Sequence, residues 1–214
     1  MFFEKELDNA LRLGDVVQGY ILANSSFKEP FFSTQSEGYD YKINVELPNY
    51  SVVLTPCCSI DVGKLSLTPL IKVRSSFLKN PYFAGDLTRI NRKMNPEQTM
   101  TSEEWGELTP EDLWEREAEG FNYTLLYSFI YEENEIFKKY LLRQHEIGYY
   151  MIDFRNIYTI KCPMIKRSEG ATLQDPSIIN SKVLQLSIQA RDELRNKISY
   201  YYTRPPKEDM IAED

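Results

Sequence analysis

The sequence predicts an α+β fold: a twisted, mostly antiparallel sheet or small β-barrel, with an inserted loop and helix region and a C-terminal helix. Three observations predict it. Short segments rich in β-branched and aromatic residues recur in both halves, as in "YKINVEL" and "NIYTIKC". A long polar stretch, 74–120, separates the two groups. Near the C-terminus "SKVLQLSIQARDELRNKISYYY" carries apolar residues at helical intervals and is stopped by Pro205-Pro206.

Taken in order, Phe3, Leu7, Ala10 and Leu11 recur at helical spacing and predict a short first helix that Gly14 stops. "GDVVQGYIL", 14–22, reads as a strand, followed by a polar loop to about Asp40. In "YKINVEL" Tyr41, Ile43, Val45 and Leu47 share one face, and Lys42, Asn44 and Glu46 the other. That alternation predicts a strand with its apolar face on the core. "YSVVLT" reads as a strand buried on both faces, and "KLSLTPLIKV" alternates again through Leu65, Leu67, Ile71 and Val73. Pro69 inside this run predicts an edge strand or a bulge.

Within 74–120, Thr109 is placed to cap a short helix that opens on Pro110, with Glu111 and Asp112 in its first turn. Strands are expected again at 121–131 and 149–162, while "ENEIFKKYLLRQHE" fits a helix or a hairpin arm. The final helix would carry Leu184, Ile188, Arg191 or Asp192, Arg195 and Ile198 at helical intervals. The expected organisation is one domain, 1–214, with a core of 1–73 and 121–204, an insertion at 74–120 and an acidic tail at 205–214.

Composition narrows the function. The chain has 214 residues, of which 42% are hydrophobic and 13% aromatic, enough for a sizeable core. A net charge of -7 argues against general affinity for nucleic acid. The first residues, "MFFEKELDNALRLGD", carry acidic side chains early and include no long apolar segment, which is not a signal-peptide pattern, and no stretch has the length and apolarity of a membrane span. Three cysteines at uneven spacing make no disulfide framework, so the expectation is a soluble, cytoplasmic protein with reduced thiols.

"VVLTPCCSID", 52–61, is the stretch that raises a chemical question. A metal site needs about four suitable ligands. The chain offers three cysteines and the single His145, with Cys57 and Cys58 adjacent, so no metal and no cofactor are expected. A reactive thiol needs a base or a positive field. Cys58, Asp61 and Lys64 are the candidates, since Lys64 could curl back through the turn and Asp61 orient a base. The plainer account is a strand-to-turn junction held by the side chains of Thr55, Ser59 and Asp61. For nucleic acid, Arg74, Lys79, Arg89, Arg92 and Lys93 are interleaved with aromatics, a pattern that can follow phosphates and stack bases. For protein docking, Phe77, Tyr82, Phe83, Trp105 and Trp114 supply large side chains in the same insertion.

"LGDVVQG", "VVLTPCCSIDVGK", "LSLTPLIKV", "YMIDFRNIYTI" and "ARDELRNKISYYYTRP" together resemble a group of uncharacterised bacterial proteins. In that group a Gly-Asp-[Ile/Val] strand precedes a [Thr/Ser]-x-x-Cys-Asp-[Ile/Leu] segment. The resemblance aligns Cys58 with the group's cysteine, but the aspartate that follows it there is Ser59 here. The layout of the N-terminal half also resembles the small β-barrel of PemK/MazF-type toxin ribonucleases. Their catalytic arginine lies in a loop that here holds only Lys28 and Lys42, and their later Thr or Ser falls on Ile71. That resemblance lends a fold and not a mechanism. The expectation is a non-enzymatic interaction subunit that binds another protein, and the setting that the resemblance implies for it is as an accessory of a prokaryotic antiviral-defence or toxin-like system. The alternatives are a cysteine-dependent enzyme or divergent nuclease, and an RNA- or single-stranded-DNA-binding module.

Overall fold

Gly14 adopts φ 88° and Gly19 φ 80°, and these two residues bracket the first strand. Only glycine reaches this region without strain, so the "LGDVVQG" pattern records two sharp turns around a very short strand. The computed structural model describes residues 1–8, 10–27, 41–62, 64–73, 88, 91, 99–100, 106–112, 122–123, 127–139, 141, 148–161 and 181–203.

The strands are β1 (Val16–Val17), β2 (Leu22–Phe27), β3 (Tyr41–Glu46), β4 (Ser51–Val53), β5 (Lys64–Pro69) and β6 (Ile71–Lys72). They continue as β7 (Thr99–Met100), β8 (Asn122–Tyr123), β9 (Ser128–Tyr131), β10 (Tyr150–Asp153), β11 (Tyr158–Lys161) and β12 (Lys182–Leu184). A 3₁₀ helix spans Cys57–Val62, α1 spans Glu135–Lys138 and α2 spans Ile188–Thr203. Among the described residues all strand pairings are antiparallel except β7 with β8. The fold is α+β, antiparallel sheets with a C-terminal helix. No helix among the described residues is long and apolar enough to cross a membrane.

The chain forms two compact units. One contains Glu6–Pro69 and Asn156–Gln185. Its five-stranded sheet has the order β11-β5-β4-β1-β12, and β2 and β3 form a separate two-stranded ribbon. Leu11, Val17, Leu22, Val53, Ile60, Leu65, Leu67 and Tyr158 make its core. The other unit contains Met1–Lys5, Leu70–Arg155 and Leu186–Asp214. Its three-stranded sheet runs β6-β10-β9. Aromatic rings build much of that core: Phe129 and Tyr131 meet edge-on at 5.4 Å, and Phe137 lies 4.7 Å from Tyr150. Such pairs add to the area they bury, since ring edges carry positive and faces negative charge.

Several expectations are corrected. No helix forms at the N-terminus: Phe3 makes an antiparallel bridge with Leu186, and Asp8 folds back to accept the Ala10 N–H at 3.0 Å. An aspartate side chain that offers the backbone a local partner competes with helix. The strand expected over 14–22 is two strands, broken at Gly19. β5 is flanked by β11 and β4, so it is not an edge strand; Pro69 is its last residue, opposite Ser51. Leu184 belongs to β12 rather than to the final helix. That helix buries Ala190, Leu194 and Lys197, and leaves Ile188 exposed.

Other expectations hold. Thr109 caps the turn beginning at Pro110, accepting the Asp112 N–H at 3.2 Å while donating to Asp112 Oδ2 at 2.7 Å. The ambiguous 132–146 segment contains α1, whose N-cap Asn134 accepts the Ile136 N–H at 3.0 Å.

Candidate functional site

The strand end that carries the cysteines is built from the turn before β1. Gly14 donates its N–H to the Val53 carbonyl at 2.7 Å, and Val53 returns one to the Asp15 carbonyl at 3.0 Å. Thr55 Oγ1 accepts the Ser66 N–H at 2.6 Å, and the Ser59 N–H reaches the Pro56 carbonyl at 2.8 Å. The chain then winds into the 3₁₀ helix. The Gly-Asp pair and Thr55 are therefore accounted for by backbone satisfaction at a junction.

Asp8, Arg12, Asp15, Lys182 and Gln185 form a polar cluster in which Asp15, Lys182 and Gln185 are buried. Lys182 Nζ donates to the Ala10 carbonyl at 2.7 Å, Gln185 Oε1 at 2.9 Å and Asp8 Oδ1 at 3.0 Å, and lies 3.3 Å from Asp15 Oδ2. An ammonium has three N–H groups, and all three are used here. Asp15 Oδ2 also accepts the Arg12 N–H at 2.8 Å. Arg12 grips Asp8 Oδ2 through Nε at 2.9 Å and Nη2 at 2.6 Å. Burial alone would raise the Asp8 pKa, but hydrogen bonds from Arg12 and Lys182 overcome it and hold the carboxyl far below its ordinary range. The Arg12 pKa is raised chiefly by Asp8, with smaller contributions from Cys57 and Asp15.

Half-buried Cys57 thus lies within electrostatic range of Arg12, a neighbour that sequence separation hides. Asp8 takes two hydrogen bonds from the same guanidinium. Lys64 stands exposed at the start of β5 opposite Lys161. Cys58 and Asp61 sit in the 3₁₀ helix, and their side chains lie outside the described residues. His145 lies outside them too, as do Arg74, Lys79, Arg89, Arg92, Lys93, Phe77, Tyr82, Phe83, Trp105 and Trp114. Among the described residues no three His, Cys, Asp or Glu side chains come together as metal ligands.

The second feature is the β2–β3 ribbon. Its register sets Leu22 opposite Glu46, Ala23 opposite Val45 and Ser25 opposite Ile43. Leu22 enters the core, and Tyr158 donates its hydroxyl to Glu46 Oε1 at 2.7 Å. Burial, with Glu46 adding, pushes the Tyr158 pKa up to about 12. Residues directly opposite each other share a face, so Ala23, Val45, Ser25 and Ile43 must lie on the side away from Leu22.

The outcome corrects the expectation for "YKINVEL". The strand exists, but its apolar face points outward: Ile43 is 58% exposed, Val45 59%, and the flanking Ile21 and Leu47 63% and 74%. Alternation alone identifies two faces and does not say which one is inside; Leu22 decides it, through register. No protein family, curated protein or solved structure matches the chain at a significant level.

Proposed function

We propose that this chain is a non-enzymatic accessory subunit that binds another protein through the outward face of the β2–β3 ribbon. The observation that carries the reading is the exposure of Ile21, Ile43, Val45 and Leu47 around one two-stranded element. Single exposed apolar residues need no explanation, whereas a contiguous group of them marks an interaction surface. The occupant this face fits is a folded partner with a complementary apolar patch. Covering each large side chain contributes on the order of 1 kcal/mol or more, the scale at which a few residues dominate an interface.

The polar cluster supports the same reading from the other side. Lys182 donates its three N–H groups to Ala10, Gln185 and Asp8, and Arg12 is paired with Asp8, an arrangement that ties the chain together. The setting in antiviral defence or a toxin-like system is implied by the sequence resemblance alone.

The test replaces Ile43 and Val45 by Thr, which keeps β-branching and removes most of the apolar surface. Wild-type and I43T/V45T baits are compared by quantitative capture from the native host. The reading expects one protein enriched in near-stoichiometric amount on wild type and reduced about tenfold or more on the variant, with unchanged melting temperature. Identical capture by both folded baits refutes it.

A further inference from the structure

The ribbon has an edge as well as a face, and the edge carries a separate inference. β3 pairs with β2 on one side, and among the described residues no strand pairs with its other side. Lys42, Ile43, Asn44, Val45 and Glu46 are all exposed. An open strand edge offers unpaired N–H and C=O groups to any strand that approaches it, and proteins that must stay monomeric block such edges.

The order of residues along β3 selects the partner. Pairing β3 antiparallel with a second copy of itself, about a two-fold axis at Asn44, sets Lys42 of each copy opposite Glu46 of the other. The same register places Ile43 opposite Val45 twice and Asn44 opposite Asn44. Shifting the register by two residues toward the N-terminus sets Lys42 against Asn44, and toward the C-terminus Asn44 against Glu46, so both charge pairs are lost. Larger shifts bring Lys42 against Lys42 or Glu46 against Glu46. Opposite charges facing each other across strands stabilise a pairing, and like charges oppose it.

We propose that β3 is a homodimerisation edge, pairing antiparallel with β3 of a second copy in the register centred on Asn44. The interface is isologous, as closed two-fold dimers require. The resulting four-stranded sheet would carry the apolar residues of both copies on one side, because directly opposed residues share a face. A short backbone edge buries little area, so the association is expected to be concentration-dependent rather than permanent. The edge is a different surface from the face discussed above, and the inference stands independently of a hetero-partner.

Sedimentation of purified full-length protein across a concentration series tests it. Wild type is expected to show a monomer–dimer equilibrium. Lys42→Glu and Glu46→Lys should each weaken it about tenfold or more, since each sets like charges opposite twice per dimer. Mixing the two variants should restore dimerisation, because each copy then supplies what the other lacks. Glu46→Lys also removes the acceptor of the Tyr158 hydroxyl, so a second measurement avoids that substitution.

Asn44→Cys should form a disulfide-linked dimer under mild oxidation, because the two-fold axis sets the new thiols directly opposite each other. Asn24→Cys, opposite Asn44 on β2, should not: three strand spacings, roughly 14 Å, would separate its copies. Wild type, with its three native cysteines, is the oxidation control. A wild type that stays monomeric throughout overturns the proposal. So do charge variants that dimerise like wild type, or equal cross-linking at positions 24 and 44.

Discussion

Lys182 Nζ lies 3.3 Å from Asp15 Oδ2, and both side chains are out of solvent, 1% and 0% exposed. The contact joins β12 to the turn before β1. Breaking a buried pair by removing one partner costs about 3–5 kcal/mol, because the remaining charge stays buried. Lys182→Met is therefore expected to lower stability by about that amount in urea unfolding, with secondary structure retained at low denaturant.

Asp8 gives the acid side of the stability profile a defined origin. Its folded-state pKa is depressed, so its contribution is fully present above the ordinary aspartate value, about 3.9, and is lost as pH falls through the folded value. Asp8→Asn should be less stable than wild type at neutral pH. The difference should shrink steadily below about pH 4 in melting curves. A difference independent of pH would contradict the assignment.

Lys197 makes the opposite prediction on the alkaline side. Burial in α2 pushes its pKa down to about 8, so the folded state releases this proton more readily than the unfolded chain. The unfolded state binds more protons between that value and the ordinary lysine value, and stability should rise as pH climbs from about 8 toward 10. Lys197→Met should flatten that rise and narrow the difference in stability between pH 7 and pH 10. Chemical unfolding at pH 7 and pH 10 reads both effects.

Asn91 acts as a substitute strand partner for β9. Its Nδ2 donates to the Ile130 carbonyl at 2.6 Å, and its Oδ1 accepts the Ile130 N–H at 2.7 Å. Asn91→Ala leaves both backbone groups buried without this partner, at about 1–3 kcal/mol for each group. Hydrogen exchange should report it locally, with faster exchange of the Ile130 amide than of the remaining β9 amides.

The parts of the fold legible in the sequence were those set by local chemistry. Thr109-Pro110 reads as a cap because cap and first turn are adjacent, and Gly14 marks a sharp turn because few other residues take its φ, although the helix it was expected to stop does not form. The start of α2 was legible too, and was misplaced. Ser187 accepts the Ala190 N–H at 3.2 Å, a capping signal that stands in "LSIQA" and separates Leu184 from the helix. Long-range relationships left no local mark. Nothing near Lys182 in sequence announces Asp15, and nothing in β3 announces that Leu22 takes the inward face. The basic and aromatic candidates of the insertion lie outside the described residues, and the exposed apolar group is on the ribbon instead.

Docking of a partner on the ribbon is read most directly by site-specific photocrosslinking at Val45 in cells of the native host, with exposed Ile188 as the control position. A discrete adduct to a different protein is expected from position 45 and none from position 188. No discrete adduct at position 45, or the same adducts from both positions, would contradict it.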